Sequence, residues 1–377
     1  MNETRDLLER VGERFPFSDE SFERLLRRRD RIQRNRRIAA TTLALILTAI
    51  GIGVGIRFVA LDRSMPAEPT DVRNGELAFV GDGNVHLVDP STGQTRILVR
   101  ACPAIDETCA ARIGSADWSP DGTRIAYAKE TEEGAGGAAG IYVLDMVSGE
   151  TVRLTSCSDP CWSQTELDWS PGGTRIAYTQ HAGGMCTAAA GFDGRCGIFI
   201  VDVDGSAPEQ LRTGFLTDPV DPSWSPDGLE IAFTARGVGA VTTPRQSAEW
   251  TVYRIGTDGS GPVPLTTMDR FLAAPAKPAW SPDGSLIAFV VTDAPSLYGQ
   301  LWTMAPDGSD LTFLADLGCC AGGGGLDNDP SPEWSPDGTR IAVTLESSHL
   351  GILDRDGNEV ADLGGGWWAS PSWRPIS

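Results

Sequence analysis

The sequence contains few of the side chains that usually carry metal or nucleophilic chemistry. Its 377 residues include only three histidines, His86, His181 and His349, and no CxxC pair. Structural zinc sites need closely spaced cysteines and histidines, so this scarcity argues against a zinc centre. The chain also lacks a GxSxG motif, the nucleophile turn of the α/β hydrolases. We therefore predict no catalytic residue, metal site or cofactor from these patterns.

Charge is distributed unevenly along the chain. The net charge is −20, yet residues 1–37 carry 11 arginines against 8 acidic residues. Beyond Arg57 there are 19 basic and 43 acidic residues. Phosphate backbones require basic surfaces, so this acidic majority excludes nucleic acid as a partner of the main domain.

One long segment without charge follows the arginine-rich region. Ile38 to Ile56 contains 19 consecutive uncharged residues, close to the roughly 20 needed to cross a bilayer. Eight arginines lie between Arg24 and Arg37, which predicts a cytoplasmic N-terminus and an extracytoplasmic C-terminal region. We predict a helical cytoplasmic tail over 1–37, a single-pass transmembrane helix over 38–60 and a linker over 61–73. The alternative is a buried core helix.

All cysteines lie beyond this segment and occur as near neighbours. An even number of cysteines in an exported domain is typical of disulfides. The simplest pairing joins sequence neighbours, and a metal site is the alternative. The eight cysteines form the near pairs Cys102/Cys109, Cys157/Cys161, Cys186/Cys196 and Cys319/Cys320.

A repeated motif organises residues 74–377. "DWSPDGTRIAY" begins at Asp117, and similar segments begin at Asp168, Ser223, Ala279 and Glu333. The repeat is marked by one tryptophan per copy, at Trp118, Trp169, Trp224, Trp280, Trp334 and Trp373. Each unit has two strands around an SPDG turn and two more around a DG turn. A four-stranded unit repeated every ~40–55 residues predicts a propeller blade.

The two ends of the repeated region complement each other. Residues 75–100 contain strands two to four of a unit but lack the tryptophan strand, and "SPSWRPIS" at the C-terminus supplies it. The sequence therefore predicts an all-β, six-bladed propeller of four-stranded blades, closed by pairing its N- and C-terminal strands. This arrangement leaves no blade with a missing inner strand.

Each unit resembles the TolB-like, WD40-like (PD40) propeller repeat. The resemblance lies in the motif W-S-P-D-G, the following I-A-[YF] strand and the I-Y-V-[LM]-D strand. The resemblance covers residues 74–375 and implies a six-bladed propeller. TolB itself is a partner-binding protein of the bacterial envelope. The anchor and the arginine-rich tail depart from that pattern, and a TolB N-terminal domain is not recognisable.

Loop length predicts which face of the ring binds a ligand. The turns between strands one and two and between strands three and four are tight, whereas the other connections are long and contain every cysteine. Binding residues concentrate on such loops, and exposed aromatic side chains suit a protein or glycan surface. The predicted ligand- or partner-binding residues are Trp162, Phe192, Phe271, Tyr298, Trp367 and Trp368.

Together these features predict a membrane-anchored, extracytoplasmic binding, scaffold or sensor module of the cell envelope, not an enzyme. Its partner would be an envelope protein or a glycan. The repeated aspartates of the SPDG turns are interpreted as turn residues. The alternative function is a propeller hydrolase or lyase with its active site in the central funnel. Asp117, Asp168 and Glu333, just before three of the tryptophans, are the only residues that suggest it.

Overall fold

The computed structural model describes most of the repeated region. The described residues are 73–102, 111–131, 139–157, 161–182, 196–214, 216–237, 250–266, 274–293, 298–319, 330–345, 349–365 and 370–376. No helix within these ranges has the length and apolarity needed to cross a membrane. The predicted tail, transmembrane helix and linker over 1–72 lie outside them.

The described part of the chain forms six four-stranded antiparallel sheets, as the repeat predicts. Blade 1 contains Arg73–Gly81 (β1), Asn84–Val88 (β2) and Thr95–Val99 (β3). Blade 2 contains Ala111–Trp118 (β4), Arg124–Thr131 (β5), Gly140–Asp145 (β6) and Thr151–Arg153 (β7). Blade 3 contains Cys161–Trp169 (β8), Arg175–Ala182 (β9), Gly197–Asp202 (β10) and Glu209–Gln210 (β11).

The remaining blades repeat this order. Blade 4 contains Thr217–Trp224 (β12), Glu230–Arg236 (β13), Trp250–Gly256 (β14) and Val263–Pro264 (β15). Blade 5 contains Ala274–Trp280 (β16), Ile287–Asp293 (β17), Tyr298–Met304 (β18) and Thr312–Cys319 (β19). Blade 6 contains Glu333–Trp334 (β20), Arg340–Leu345 (β21), His349–Asp354 (β22) and Glu359–Gly365 (β23). The last strand, Ser372–Ile376 (β24), belongs to blade 1.

The predicted closure of the ring is confirmed. Strand β24 pairs antiparallel with β1, placing Trp373 opposite Leu77 and Ser372 opposite Ala78. Trp373 is 3% exposed and packs with Leu77 and with Ile352 of blade 6. The C-terminal strand therefore completes blade 1 and contributes to the interface with blade 6.

The hydrophobic core lies between the blades. Six clusters of buried residues each contain side chains from two neighbouring blades, so every interface between blades has its own hydrophobic core. In five blades the second strand carries apolar side chains on both faces, as "IAY" and "IAF" predict, because each sheet is covered on two sides. The motif arginine adds a contact across the interface: Arg124 lies 4.8 Å from the ring centre of Trp169, and Arg175 lies 4.8 Å from that of Trp224.

The SPDG aspartates stabilise their own turns, as predicted. The Ser119 hydroxyl donates a hydrogen bond to Asp121 Oδ1 (2.5 Å), and the Thr123 amide donates to the same oxygen (3.0 Å). The turns at Asp227, Asp283 and Asp337 repeat this pattern. These contacts lower the pKa of each of the four carboxyl groups.

We expect Trp373→Ala to lower the free energy of unfolding by about 3–5 kcal/mol, because it empties a buried site at the closure of the ring. Thermal unfolding of the full-length protein would show this as a decrease in Tm of roughly 10 °C. The control is Phe313→Ala, since Phe313 is 44% exposed on an outer strand. Equal Tm values for the two variants would show that the closing strand contributes little.

Candidate functional site

Six inner strands surround the axis of the ring. Strands β4, β8, β12, β16, β20 and β24 contact one another in cyclic order. Each of them follows a connection between blades and ends at a motif tryptophan beside a tight turn. The inner strands thus run from the face with the long loops toward the face with the tight turns, and together they line a central funnel.

Three of the inner strands contain the same β-bulge. Two residues of β8 lie opposite one residue of β9 between the pairs Thr165↔Thr179 and Asp168↔Ala177. Strands β12 and β16 have an equivalent irregularity three residues before their tryptophans. At each bulge one residue has a positive φ: 54° for Glu166, 55° for Asp221 and 54° for Lys277. Bulges are frequent beside active sites, where they redirect a side chain.

The three bulge residues form a buried cluster of charges, which we call the bulge triad. Lys277 Nζ lies 2.6 Å from Asp221 Oδ1 and 3.1 Å from Glu166 Oε1. Lys277 belongs to blade 5 and Glu166 to blade 3, so this lysine side chain connects blades on both sides of Asp221. The side chains of Asp221, Lys277 and Glu166 are 4%, 8% and 14% exposed, so the triad meets solvent mainly through Glu166.

Hydrogen bonds between blades hold the backbone of the triad. The Asp221 amide donates to Glu166 Oε2 (3.1 Å) and to the hydroxyl of Thr179 (3.3 Å). One blade further, the Lys277 amide donates to the hydroxyl of Thr234 (3.2 Å). Both threonines are fully buried. The bulge amides, which the sheet itself leaves unpaired, are satisfied by the preceding blade.

The two carboxyl groups of the triad differ widely in acidity. Burial raises the pKa of Asp221 to about 7; the Glu166 charge adds to this rise, and Lys277 opposes it. Burial also disfavours ionisation of Glu166, but the Lys277 ammonium and the nearby His181 lower its pKa to about 2. At neutral pH the triad therefore contains one ionised carboxylate, one ammonium and one carboxyl group at its titration point.

A second group of acidic side chains lies closer to the tight turns. Asp117, Asp168 and Glu333 are partly buried, and each precedes a motif tryptophan. The Trp169 amide donates to Asp117 Oδ2 (2.8 Å), and the Trp224 amide donates to Asp168. Asp117 and Asp168 therefore link β4 to β8 and β8 to β12.

Serine plays the same part in two other blades. The Trp118 amide donates to Ser372 Oγ (3.0 Å), and the Ser372 hydroxyl donates to Asp117 Oδ1 (2.7 Å). The Trp280 amide donates to Ser223 Oγ (3.2 Å). A serine and an aspartate can replace each other here, which indicates a structural role for this position.

Burial and mutual repulsion keep these three acids hard to ionise. Burial raises the pKa of Asp117 to about 6, despite hydrogen bonds from Ser372 and Trp169. Burial and the neighbouring acids raise the pKa of Asp168 and of Glu333 well above their usual values. Over the described part of the chain, no three His, Cys, Asp or Glu side chains are arranged to hold a metal ion.

We expect Asp117→Asn to stabilise the protein above pH 6. The folded-state pKa of Asp117 is raised, so its contribution to stability is fully present below the unfolded-state value of 3.8 and is lost as the pH rises through about 6. The side-chain oxygen of asparagine can still accept from the Trp169 amide, and its NH2 group can donate to Ser372 Oγ. Because the amide carries no charge, we predict a gain of about 2 kcal/mol at pH 8 and none at pH 4. Urea unfolding of the full-length protein at both pH values measures this.

Asp202→Asn is the matched control, because Asp202 is exposed at the end of β10. A loss of stability at pH 8 in Asp117→Asn, with Asp202→Asn unchanged, would show that the Asp117 carboxylate is required in its ionised form.

The predicted loop-face residues lie largely outside the described part of the chain. Phe192, Phe271, Trp367 and Trp368 fall outside it, and for Trp162 and Tyr298 it describes the backbone alone, in β8 and β18. Their role in binding stays a prediction. Of the repeat tryptophans, five are 3–5% exposed and Trp280 is partly buried.

Only one predicted cysteine pair lies wholly among the residues whose side chains are described. The Sγ atoms of Cys157 and Cys161 are 2.03 Å apart, at disulfide distance. The two cysteines are four positions apart in the sequence, so this contact agrees with the expected pairing of near neighbours.

For Cys196 the structure shows the position at the end of the predicted loop but not the partner. We expected this cysteine within a long loop and paired with Cys186. The structure places Cys196 directly before β10, where its carbonyl oxygen accepts a hydrogen bond of 2.8 Å from the Gln210 side chain. Cys196 takes part in a disulfide, but Cys186 falls outside the described residues. The Cys186–Cys196 pair is therefore not confirmed and stays a prediction.

The expectation that every cysteine lies in a connection between strands is wrong. Cys161 is the first residue of β8 and Cys319 is the last residue of β19, so the long connections extend the strands at these points. Cys102 takes part in a disulfide, as predicted, but its expected partner Cys109 falls outside the described residues. Cys320 also falls outside them, so the pairs Cys102/Cys109 and Cys319/Cys320 stay predictions.

The bulge triad was not predicted from the sequence. Aligning the repeats on their tryptophans would have shown a charged residue three positions earlier in three successive copies, where the other copies have serine. Lys277 is also one of only two lysines in the chain, with Lys129. What the alignment lacks is the bulge, which turns these side chains toward one another.

Comparison with known proteins supports the fold more firmly than the family. No family model matches the chain. An uncharacterized protein of Agrobacterium fabrum, Atu1656, is 29% identical over 233 residues, 59% of this chain and 67% of that protein. An uncharacterized peptidase of Bacillus subtilis, YuxL, is 32% identical over 125 residues. That match covers 33% of this chain and only 17% of the peptidase.

Similar solved structures include proteins of several functions. The nidogen/laminin complex contains a chain with a TM-score of 0.57 and 12% identity, covering 79% of this chain and 98% of its own. The tricorn protease has a TM-score of 0.50 and 18% identity, and the match covers 77% of this chain and 26% of the protease chain. A putative TolB from Agrobacterium tumefaciens has a TM-score of 0.45 and 23% identity, and the match covers 70% of this chain and 87% of the TolB chain. At these identities the likeness extends to the fold alone, and membership of the PD40 family is not shown.

These comparisons contradict one expectation. The chain was predicted not to be an enzyme, yet one of its relatives is named a peptidase and a protease is among its structural neighbours. The prediction relied on missing nucleophile motifs. Acid–base chemistry needs no such motif, and the bulge triad brings carboxyl groups together from separate blades.

Proposed function

We propose that this chain is a propeller hydrolase that cleaves peptide bonds in its central funnel, with the bulge triad as its acid–base centre. The observation that carries this proposal is the pair of carboxyl groups, Asp221 and Glu166, held 2.6 and 3.1 Å from Lys277 Nζ. Burial raises the pKa of Asp221, whereas the Lys277 charge lowers that of Glu166 despite its burial. Such a separation assigns the roles of acid and base within a pair. The similarity to a named peptidase favours the peptide bond as the substrate.

In the proposed reaction Glu166 accepts one proton and Asp221 donates one. The ionised Glu166 accepts a proton from a water molecule as its oxygen attacks the peptide carbonyl carbon. Protonated Asp221 donates its proton to the leaving nitrogen as the carbon–nitrogen bond breaks. A proton passing from Glu166 to Asp221 then restores the pair, so that water and peptide are converted to a carboxylic acid and an amine.

Lys277 has a positioning role in this scheme. Burial acts against its charge, but Asp221 and Glu166 raise its pKa, so it remains an ammonium and cannot serve as a base. Its contacts of 2.6 and 3.1 Å hold the two carboxyl groups together and favour ionisation of Glu166. The positive φ of each bulge residue is consistent with strain retained at a functional site.

The test is cleavage of a mixed peptide library, followed by mass spectrometry, with full-length wild type, Asp221→Asn and Glu166→Gln. We expect each substitution to lower kcat/KM by about 100-fold or more, because each removes one partner of the proton transfer. Asp221 must be protonated to act, so kcat/KM of the wild type should fall as the pH rises through about 7.

Asp202→Asn serves as the matched control and should cleave as the wild type does. Peptide hydrolysis at the triad would be ruled out if Asp221→Asn and Glu166→Gln retained full activity. The same conclusion would follow if the folded wild type left the whole library intact.

We also propose that the propeller lies outside the cytoplasm, anchored by residues 38–60. The distribution of arginines supports this orientation. Protease added to intact cells without an outer wall should digest the propeller and leave an epitope tag at the N-terminus protected. Digestion of the tag with an intact propeller would indicate the opposite orientation, and protection of both would indicate an internal protein.

A further inference from the structure

We infer that Arg236 forms a subsite for the C-terminal carboxylate of a peptide, which would make the proposed enzyme act near the C-terminal end of its substrates. This inference rests on the proposed function for the identity of the substrate. The geometry on which it depends is that of an arginine whose donors are not used by the fold.

Arg236 is held rigidly at the end of β13. It pairs across the sheet with Trp250, and its guanidinium carbon lies 4.3 Å from the centre of the indole ring. Stacking on tryptophan orients the planar guanidinium and reduces the entropy that binding a ligand would cost. Its side chain is 36% exposed, so it remains accessible to a ligand.

The described residues leave the hydrogen-bond donors of this guanidinium unused. Asp218 Oδ2 lies 3.6 Å from Nη1, an ion-pair distance that is too long for a hydrogen bond. Nε is buried and has no acceptor. Elsewhere Arg96 donates two bonds of 2.9 Å to Glu76, and Arg124 donates one of 2.9 Å to the Gly173 carbonyl. Within the described residues Arg236 has an ion-pair neighbour but no hydrogen-bond acceptor, which suits its guanidinium to an external anion.

Arg236 lies on the loop-face side of the bulge triad. Thr234, which receives the Lys277 amide, is two residues before Arg236 on the same strand. Two residues of a strand span ~6.6 Å, and an extended peptide covers a similar distance with two residues. A carboxylate at Arg236 would place one of the last two peptide bonds of the substrate at the level of Asp221 and Glu166.

The neighbouring blades present polar side chains at the same level. His181 in β9 and Thr292 in β17 occupy the positions equivalent to Arg236 in their repeats, judged from the pairing of these strands with β8 and β16. The Thr292 hydroxyl is buried and has no hydrogen-bond partner among the described residues. His181 lies near enough to Glu166 and Asp218 to favour their ionised forms.

The surrounding charge favours a carboxylate over a phosphate group. Glu166 is ionised, and Asp218 lies beside the guanidinium, although burial raises its pKa despite Arg236 and His181. A dianion would meet roughly twice the repulsion of a monoanion in such a site. A planar carboxylate also matches the two parallel N–H donors of an arginine edge.

The test compares the binding of N-acetyl-trialanine with that of its C-terminal amide, two ligands that differ only in the charged end. Binding is measured by calorimetry on the full-length Asp221→Asn protein, in which turnover is blocked. We expect the free acid to bind about 10- to 100-fold more tightly than the amide, as charge-assisted hydrogen bonds would provide. In Asp221→Asn/Arg236→Gln this preference should disappear.

The matched control is Asp221→Asn/Arg96→Gln, because Arg96 is an exposed arginine of blade 1 that is paired with Glu76. It should keep the preference for the free acid. Equal binding of acid and amide, a preference that survives Arg236→Gln, or no binding of the acid up to about 10 mM would each overturn the subsite.

The outcome is distinguishable from that of the proposed reaction. If the acid binds through Arg236 while the wild type cleaves nothing, the subsite stands and the hydrolase proposal fails. If cleavage depends on Asp221 but the acid and the amide bind equally, the hydrolase stands and the C-terminal preference fails. A loss of Tm in Arg236→Gln relative to Arg96→Gln would instead identify Arg236 as a structural residue.

Discussion

The ring depends on one recurring contact: the backbone amides of four motif tryptophans, Trp118, Trp169, Trp224 and Trp280, are each held by the blade before them. Asp117, Asp168, Ser223 and Ser372 each accept a hydrogen bond from the tryptophan of the next blade. Without these contacts the tryptophan amides would face the funnel unpaired. The contacts therefore give each of these amides a hydrogen-bond acceptor and also fix the spacing between blades. The C-terminal strand takes part through Ser372, which links the closure of the chain to the same network.

The network places acids where they are difficult to ionise. Asp117 is useful as an acceptor in either protonation state, yet its charge is costly at neutral pH because burial raises its pKa to about 6. Serine at two other positions makes the same bond without that cost. The arrangement explains why a group of three partly buried acids at the axis is better understood as part of the scaffold than as a cation site.

The bulge triad differs from this network of tryptophan contacts because it is one cluster and not a repeated feature. Its three members come from three blades, each at a strained backbone position, and no single blade needs a charge there. A buried ion pair often contributes little net stability compared with apolar residues, so its presence calls for another reason. The proposed functions supply one: in these proposals the two carboxyl groups act as proton donor and proton acceptor, and the guanidinium of Arg236 binds an anion.

The sequence alone determined the number of blades, the closure by the last strand and the turn role of the SPDG aspartates. Each of these follows from local patterns: a strand period of two, a turn that requires glycine, and a tryptophan repeated in every unit. It also pointed to Asp117, Asp168 and Glu333 as neighbours. Only the tertiary structure decided that Glu166, Asp221 and Lys277 meet, because 111 residues separate the first from the last and a bulge, invisible in the pattern, redirects each side chain. The stacking of Arg236 on Trp250, and its lack of a hydrogen-bond acceptor among the described residues, likewise depend on strands brought together by the fold.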